Sequence, residues 1–420
     1  MSSVIKQSYK DADGYTYIAP RIAMEEAARC LLCHDAPCSK SCPAGTDPAR
    51  FIRSIRFRNV KGAAEIIREN NPLGGICARV CPYEKFCQEA CSRCGIDRPI
   101  RIGMLQQYAI QQEKVYGMQV LQAPMEKKNK RIACVGSGPA SLTVATQLAM
   151  AGYDVTVFER EAKIGGMMTY GIAPVRLPSE VIEHDVEQIR NLGIKFVLNK
   201  EVDLKDVEKF DAVFIGVGLW GENLPELKGV RLNGSFSAVS FLRYLRIKDS
   251  NLVKGKRVVV VGGGDVSIDC AVTAKVYGAA DVKIVYRRTI EEASASMREF
   301  RHAIMRGISI TTGMAPIVVN GTNKVESIEF EGFANKTDKM ILGADIVVFA
   351  TGQVSGLTSE NSVYEKYLSD KRLIKAVQGH VNGKYFAGGD AVLGPKTVVE
   401  AIKSGKEAAA SMIEFLEGKN

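Results

Sequence analysis

Apolar residues in the middle of this chain come in short β-branched runs that break into glycine. In "KRIACVGSGPAS", 130–141, the run from Arg131 to Val135 predicts a buried strand and the glycines a tight turn. Leu142, Ala145, Leu148 and Ala149 follow at helical spacing and predict a helix. The pattern repeats in "KRVVVVGGGDVSIDCA", 256–271. Each copy leads to another predicted strand, "YDVTVFE" ending at Glu159 and "DVKIVY" ending at Tyr286. Two later runs, "ADIVVFATGQ" (344–353) and "KYFAGGDAV" (384–392), also read as strands entering turns. A closing helix is expected after "KTVVEAIKSGKEAA", with its N-terminus near Thr397. The alternation predicts an α/β class for everything after a polar, proline-bearing linker, "QAPMEKKNK" at 122–130.

The 420 residues, 46% hydrophobic and 25% charged, suffice for two to four domains at roughly 100–200 residues each. The first twenty residues hold no apolar run after their first lysine, so no signal peptide is expected. No stretch approaches the roughly 20 uninterrupted apolar residues of a membrane span, and the expected location is cytoplasmic. The net charge of +9 is modest for this length, and no nucleic-acid-binding signature accompanies it.

The glycines define candidate nucleotide sites. Gly136 permits the turn, Gly138 lets a pyrophosphate approach the helix N-terminus, and Ser141 fills the third position of the fingerprint with a small side chain. Glu159 stands about 20 residues on, where a carboxylate binds ribose hydroxyls. In the second copy Gly262, Gly264 and Ser267 take those places, but the acid is missing. Arg287 and Arg288 stand there instead, which suits a 2′-phosphate and points to NADPH over NADH, although Glu291 and Glu292 lie close by. Two nucleotide folds in one chain suggest a flavin reductase, with FAD in the first and a nicotinamide in the second. Gly389 and Asp390 would meet FAD, and the helix beginning near Thr397 would aim its positive end at the ring. This arrangement resembles the pyridine-nucleotide flavin reductases, in which a Rossmann-like NAD(P)H domain is inserted into a Rossmann-like FAD domain. Cys134 on a strand and Cys270 on a helix form no redox pair near the flavin motifs.

Nine cysteines crowd into the N-terminal third. Cys30, Cys33, Cys38 and Cys42 form one group; Cys77, Cys81, Cys87, Cys91 and Cys94 form another. A reducing compartment disfavours disulfides. Spacing alone leaves zinc and iron–sulfur clusters open. The flavin context favours clusters, which are one-electron carriers and would complete a path where zinc would not.

The segment from "RCLLCHDAPCSKSCPAG" to "NNPLGGICARVCP", closed by "IGMLQQY", resembles the N-terminal cluster domain of dihydropyrimidine dehydrogenase and, less closely, the glutamate synthase small subunit. Through "GIAPVRLP", "DAVFIGVGL" and "GGGDV" the resemblance covers nearly the whole chain, and it fits best the NAD(P)H-accepting subunit of the two-subunit bacterial enzymes. It implies two 4Fe–4S clusters. One would take Cys30, Cys33, Cys38 and Cys91; the other Cys42, Cys81, Cys87 and Gln106, which otherwise reads as a helix-surface residue. Cys77 and Cys94 are left as non-ligands. Cluster binding is expected to stabilise a helical domain with little core of its own. The resemblance also assigns Pro139, Ala140, Arg160, Gly166, Arg176 and Val202 to the flavin. It places Gly263, Asp265 and Val266 at the nicotinamide nucleotide, with Gly218, Ala350, Thr351 and Gly352 near its ring. The domains expected are 1–124 (helical, iron–sulfur), 125–228 with 354–420 (FAD) and 229–353 (NAD(P)H).

The implied activity is hydride uptake from NADPH or NADH onto FAD and electron delivery through the clusters to a separate FMN-containing subunit that reduces uracil or thymine. The alternatives are glutamate synthase-like or ferredoxin-linked electron transfer and a zinc-bearing, non-catalytic scaffold. The row Arg50, Arg53, Arg56 and Arg58 reads either as a solvated cationic face or as a surface for an acidic partner.

Overall fold

The computed structural model describes residues 8–10, 16–203, 205–247, 251–356 and 367–418. Residues 1–7 and 11–15, part of the stretch where no signal peptide is expected, lie outside these. The chain divides into two compact units: Met1–Met168 with Leu177–Gly218 and Ser362–Asn420, and Thr169–Arg176 with Leu219–Asn361. The short segment 169–176 thus groups with the second unit.

In the first unit a helical N-terminal region precedes a sheet. Helix Pro48–Arg56 starts on proline, and Asp47 caps it by accepting from the Arg50 N–H at 3.1 Å. Asn59 caps helix Val60–Asn70 in the same way, accepting from the Gly62 N–H at 2.8 Å. These helices and Ile102–Val115 pack Phe51, Ile52, Ile55, Leu105 and Tyr108 into an apolar core, against which Cys30, Cys38, Cys87 and Cys91 rest. The region therefore owns a core, contrary to the expectation that it has little.

The sheet of this unit has six strands in the order His380–Asn382, Tyr385–Ala387, Ala212–Ile215, Arg131–Val135, Asp154–Phe158, Lys195–Val197. All its pairings are parallel except the antiparallel one at the His380–Asn382 edge. Ala212–Ile215 is buried throughout, as a parallel strand covered on both faces must be. Helix Pro139–Met150 crosses the C-terminal helix Val398–Leu416 closely: a Cβ at Gly405 would sit 2.6 Å from the Ala140 carbonyl oxygen.

The second unit holds a five-stranded parallel sheet, Ser309–Thr312, Asp281–Tyr286, Arg257–Val261, Ile346–Phe349, Ser235–Ser237. One face packs on helices through Val258, Val260, Ile268 and Phe300. The other is covered by a three-stranded antiparallel sheet, Met314–Asn320, Ser327–Gly332, Lys339–Gly343, through Val259, Val261, Ile328 and Phe330. Among the described residues no helix is long and apolar enough to cross a membrane.

Candidate functional site

The first glycine turn is built as the fingerprint requires. Gly136 has φ +92°, and a Cβ there would meet the Gly216 carbonyl oxygen at 2.6 Å. Its N–H donates to the Phe158 carbonyl at 2.8 Å, which fixes the turn across the strand ends. Gly138 faces open space, with no atom within 4 Å of the Cβ position, and starts helix Pro139–Met150. Ser141 is fully buried, and its hydroxyl occupies the space a side chain at residue 216 would need. Gly166, at φ +54°, lies against the Gly138 backbone. Glu159 is buried and folds back on the turn: it accepts from the Ser137 N–H (3.0 Å), the Ser137 hydroxyl (2.5 Å) and the Glu161 N–H (2.9 Å). Arg160 is exposed and pairs with Glu161 at 3.6 Å, while Val202 is buried.

Gly389, at φ +66°, donates its N–H to Ser404 at 3.0 Å. Burial pushes the Asp390 carboxyl up to about 7, although it accepts from the Lys396 N–H at 3.2 Å. Thr397 caps the C-terminal helix in a reciprocal box with Glu400, accepting from its N–H at 3.4 Å and donating its own hydroxyl to the carboxylate at 2.6 Å. The expected helix start is present, but it carries an acid of its own.

In the second unit Gly262, at φ +150°, lies where a Cβ would strike the Ala350 carbonyl oxygen at 2.4 Å. A Cβ on Gly263 would meet the Tyr286 ring at 2.6 Å. Gly264 precedes helix Asp265–Val276, in which Val266 is half-buried and Ser267 donates back to the Gly264 carbonyl at 2.6 Å. Arg287 and Arg288 are exposed and form no ion pair among the described residues. Glu292 is occupied elsewhere, accepting from the Thr289 N–H at 3.1 Å and its hydroxyl at 3.3 Å. The Arg287 guanidinium lies 5.6 Å from the centre of the Phe333 ring. Thr351 donates its hydroxyl to the Asn223 carbonyl at 3.3 Å, next to Gly352 at φ +120°. Gly218, at φ +65°, closes the 177–218 stretch of the first unit.

Arg176 is placed by charge rather than by a cavity. It donates to Asp269 at 3.1 Å and lies 3.6 Å from Glu299, and Asp269 also accepts from the Ala173 N–H at 3.2 Å. Burial still pushes the Asp269 carboxyl up to about 6.

The thiols sort into two neighbourhoods. Cys30, Cys33, Cys38 and Cys91 line one cavity, floored by Ala49, Ile52, Ile100 and Ile102. Burial, reinforced by neighbouring Cys91, pushes the Cys38 thiol up to about 11. Cys42, Cys77, Cys81 and Cys87 neighbour one another in a second group that borders the first: burial with the charges of Cys42 and Cys38 pushes Cys87 up to about 12, and burial with Cys77, Cys87 and Cys42 raises Cys81 further. Burial raises Cys134 and Cys270 in the same way, so the raised thiols report burial, and it is their grouping that suits a metal-binding thiolate set. Among the described residues no three His, Cys, Asp or Glu side chains are gathered tightly enough to hold a single ion. Cys94 is exposed, with Sγ 3.4 Å from the Gln88 carbonyl oxygen; Cys77 is buried.

Gln106 is buried, not on the helix surface. Its amide nitrogen donates to the Gly74 carbonyl at 2.7 Å, which leaves its oxygen available as a ligand atom. Periodicity missed it because helix Ile102–Val115 buries polar residues too, Gln111, Gln112 and Glu113 among them.

One feature of the site had no signal in the sequence. Arg68 is fully buried and donates to Glu113 (3.0 and 2.6 Å), to Asp185 (2.8 Å) and to the Pro72 carbonyl. Asp185, on helix Ser179–Arg190, accepts in turn from the Gly75 N–H (3.2 Å) and the Ile76 N–H (2.8 Å). It therefore caps the helix Gly74–Val80 that leads to Cys81. His184 lies 2.8 Å from Glu113. Burial pushes the Asp185 carboxyl up; at Glu113 burial is outweighed by Arg68, which holds its carboxyl low. From the C-terminal helix, Lys406 donates to the Ala44 carbonyl (2.9 Å) and the Asn70 carbonyl (3.3 Å), close to Cys42.

The sequence profile described as dihydropyrimidine dehydrogenase domain II, 4Fe-4S cluster, matches residues 7–118, and that of the pyridine nucleotide-disulphide oxidoreductases matches 130–405. Among solved structures, Mycobacterium tuberculosis FprA in complex with NADPH superposes with a TM-score of 0.58 at 21% identity, covering 69% of this chain and 85% of that one. T. acidophilum thioredoxin reductase gives 0.54 at 18%, covering 70% of this chain and 100% of that one. Fold and profiles together define the class: a pyridine-nucleotide oxidoreductase of the FAD flavoprotein type, preceded by a 4Fe–4S domain. The NAD-dependent dihydropyrimidine dehydrogenase subunit PreT of Escherichia coli O157:H7 is 42% identical over 95% of both chains, and that of Salmonella typhimurium LT2 is 39% identical over 98% of both. The glutamate synthase (NADPH) small chain of E. coli K12 is 30% identical, covering 94% of this chain and 92% of that one. The chain belongs to the family of NAD-dependent dihydropyrimidine dehydrogenase subunits, as the wording of its cysteine segment implied.

Proposed function

We propose that this chain is the NAD(P)H-oxidising subunit of a dihydropyrimidine dehydrogenase, delivering electrons to a separate FMN-containing subunit that reduces uracil or thymine to the 5,6-dihydropyrimidine. The observation that carries this reading is the sorting of the thiols. The four assigned to one cluster line one cavity, while Cys42, Cys81 and Cys87 neighbour one another beside it, with Cys77 among them, and Gln106 spends only its amide nitrogen, on the Gly74 carbonyl. When bound, FAD would accept a hydride and the two 4Fe–4S clusters would carry its electrons one at a time.

The residues supply position and charge. Open space at Gly138, whose backbone Gly166 lies against, and the start of helix Pro139–Met150, with Ala140 in its first turn, would take the FAD pyrophosphate. Glu159 holds the turn closed through Ser137 and offers its remaining lone pairs to ribose. Gly389 and Asp390 would face the ribityl chain, and a protonated Asp390 could donate as well as accept. Gly264, with Asp265 and Val266 opening the next helix, would take the nicotinamide nucleotide. Holding the reactants in register accounts for most of the acceleration of a hydride transfer, and no side-chain acid or base is assigned to it. The relatives are named NAD-dependent, whereas Arg287 and Arg288 lack carboxylate partners among the described residues and suit a 2′-phosphate. We therefore read the nucleotide as NADH or NADPH, with the arginines setting the balance. By the resemblance Arg176 lines the flavin; here its charge already meets Asp269 and Glu299.

The test is metal, sulfide and acceptor analysis of anaerobically purified protein. Two clusters and FAD are expected. Cys87→Ala should lose one cluster and Cys94→Ala keep both. NAD(P)H oxidation should then depend on uracil or thymine once the partner chain is added. Zinc without sulfide would overturn the reading in favour of a scaffold. Full cofactor content with glutamate-forming activity would shift it to the glutamate synthase type.

A further inference from the structure

Helix Pro48–Arg56 ends in an unusual way. Phe57 is its C-cap, and the next residue, Arg58, has φ +59°, the left-handed conformation in which glycine is at home. The turn is closed by the Arg58 N–H on the Ile55 carbonyl (2.9 Å) and the Asn59 N–H on the Ser54 carbonyl (2.9 Å). Glycine would make both bonds without strain, so folding does not explain the arginine. Nor does it explain Phe57, which is 71% exposed.

The charge around this turn is selective. Arg50 pairs with Glu69 at 3.3 Å and Lys61 with Glu65 at 3.7 Å, so the cations on either side of the turn are neutralised. Arg53, Arg56 and Arg58 are exposed and form no ion pair among the described residues. The patch adjoins the first thiol cavity. The Arg56 guanidinium reaches the Cys30 carbonyl at 3.4 Å, and Leu31, 46% exposed, lies on the rim.

We propose that Arg53, Arg56, Phe57 and Arg58 form the face on which an acidic one-electron redox protein docks, taking electrons out beside Cys30. The proposal rests on the functional reading above, since it supposes a cluster at the Cys30 cavity. An exposed aromatic ring among unpaired cations has the make-up of a transient interface: the charges steer the encounter and the ring anchors it. Each encounter would pass one electron from the reduced chain to the oxidised centre of the partner. No bond is made or broken, and NAD(P)H is the reductant.

The experiment uses the anaerobic holoprotein and a plant-type 2Fe–2S ferredoxin, a small acidic carrier, as the probe. Wild-type reduction of the probe by NAD(P)H should slow steeply with salt. The pair Arg53→Gln/Arg56→Gln should raise the KM for ferredoxin about tenfold and flatten the salt dependence, because the charges act on association. Phe57→Ser should raise KM while leaving the salt dependence in place. Arg58→Gly should melt no lower than wild type and still raise KM, a split that a merely structural role would not produce. Flavin reduction by NAD(P)H and turnover with ferricyanide should be unchanged in all of them. The control pair Lys205→Gln/Lys209→Gln, which removes the same charge elsewhere on the surface, should behave as wild type. A KM that stays put in the patch variants, or moves equally in the control, overturns the docking face and leaves the functional reading standing. Protein that binds no iron and sulfide overturns both.

Discussion

At Gly136–Gly138 and again at Gly262–Gly264 a buried strand runs into a glycine turn and out along a helix, and in both the middle of the sheet presses a backbone carbonyl against the first glycine. The next strand ends differently in the two. In the first unit it delivers Glu159 into the turn, buried and satisfied by three donors. In the second it delivers Arg287 and Arg288 to the surface, with Phe333 beneath one of them and, among the described residues, no acid paired with either. A carboxylate locked into its own turn suits a cofactor that stays. A cationic rim open to water suits a cosubstrate that arrives, reacts and leaves. The same local grammar serves both, and the residue that closes the second strand separates them.

The most severe way to break that contrast is Glu159→Ala. It leaves the Ser137 N–H, the Ser137 hydroxyl and the Glu161 N–H without their acceptor in a buried place, and each such group costs about 1–3 kcal/mol. The expected outcome is loss of FAD on purification and a clear drop in melting temperature. If the variant retains stoichiometric FAD and melts as wild type does, the acid is not the clasp of the first turn.

Next in size are Arg287→Ala and Arg288→Ala. A charged hydrogen bond contributes about 1.5–3 kcal/mol, roughly one to two decades in affinity. The KM for NADPH should rise by that order in stopped-flow flavin reduction, the KM for NADH should barely move, and FAD content should be unchanged. Salt should erode the NADPH preference, since the contact is exposed. A wild type that prefers NADH, with neither arginine affecting either nucleotide, would show the pair to be a basic turn and nothing more.

The subtlest effect is one of pH. Burial raises the Asp390 carboxyl from 3.8 to about 7, so the folded flavin-free protein keeps a proton that the unfolded chain has released. Stability from this group therefore falls as pH rises between about 4 and 7. Asp390→Asn removes the group, so the variant should gain melting temperature over wild type at pH 8 and little at pH 5. Parallel melting curves would show that Asp390 finds a partner once ionised.

Both glycine turns were legible because strand, glycine, helix and strand are adjacent in sequence and the chemistry of each step is local. So was the capping Thr397. The three-stranded sheet of the second unit was not foreseen, although "ESIEFEG" alternates and buries Ile328 and Phe330 on one face. A short two-periodic run between stronger motifs is easily passed over. The division of the cysteines into two sets came from resemblance, since spacing alone admits zinc as well. Gln106 and Arg176 were beyond reading for a different reason. Gln106 bonds a carbonyl on another helix, and Arg176 finds Asp269, 93 residues away. Pairings made by tertiary approach leave no periodic trace.

The Arg68 knot bears on how such a chain can be inherited. Residues 7–118 correspond to a recognised domain, and domains are often treated as exchangeable parts. Here Arg68 and Glu113 lie inside that stretch, while Asp185 and His184 lie beyond it. Grafting the cysteine-bearing stretch onto a foreign flavoprotein would leave a buried guanidinium short of a partner and the helix before Cys81 without its cap. Parting a buried ion pair costs about 3–5 kcal/mol, a large share of the roughly 5–15 kcal/mol that holds a typical fold together. A chain cut at the linker would keep the Arg68–Glu113 pair but lose Asp185, so the cysteine-bearing stretch draws part of its rigidity from a helix that lies outside it.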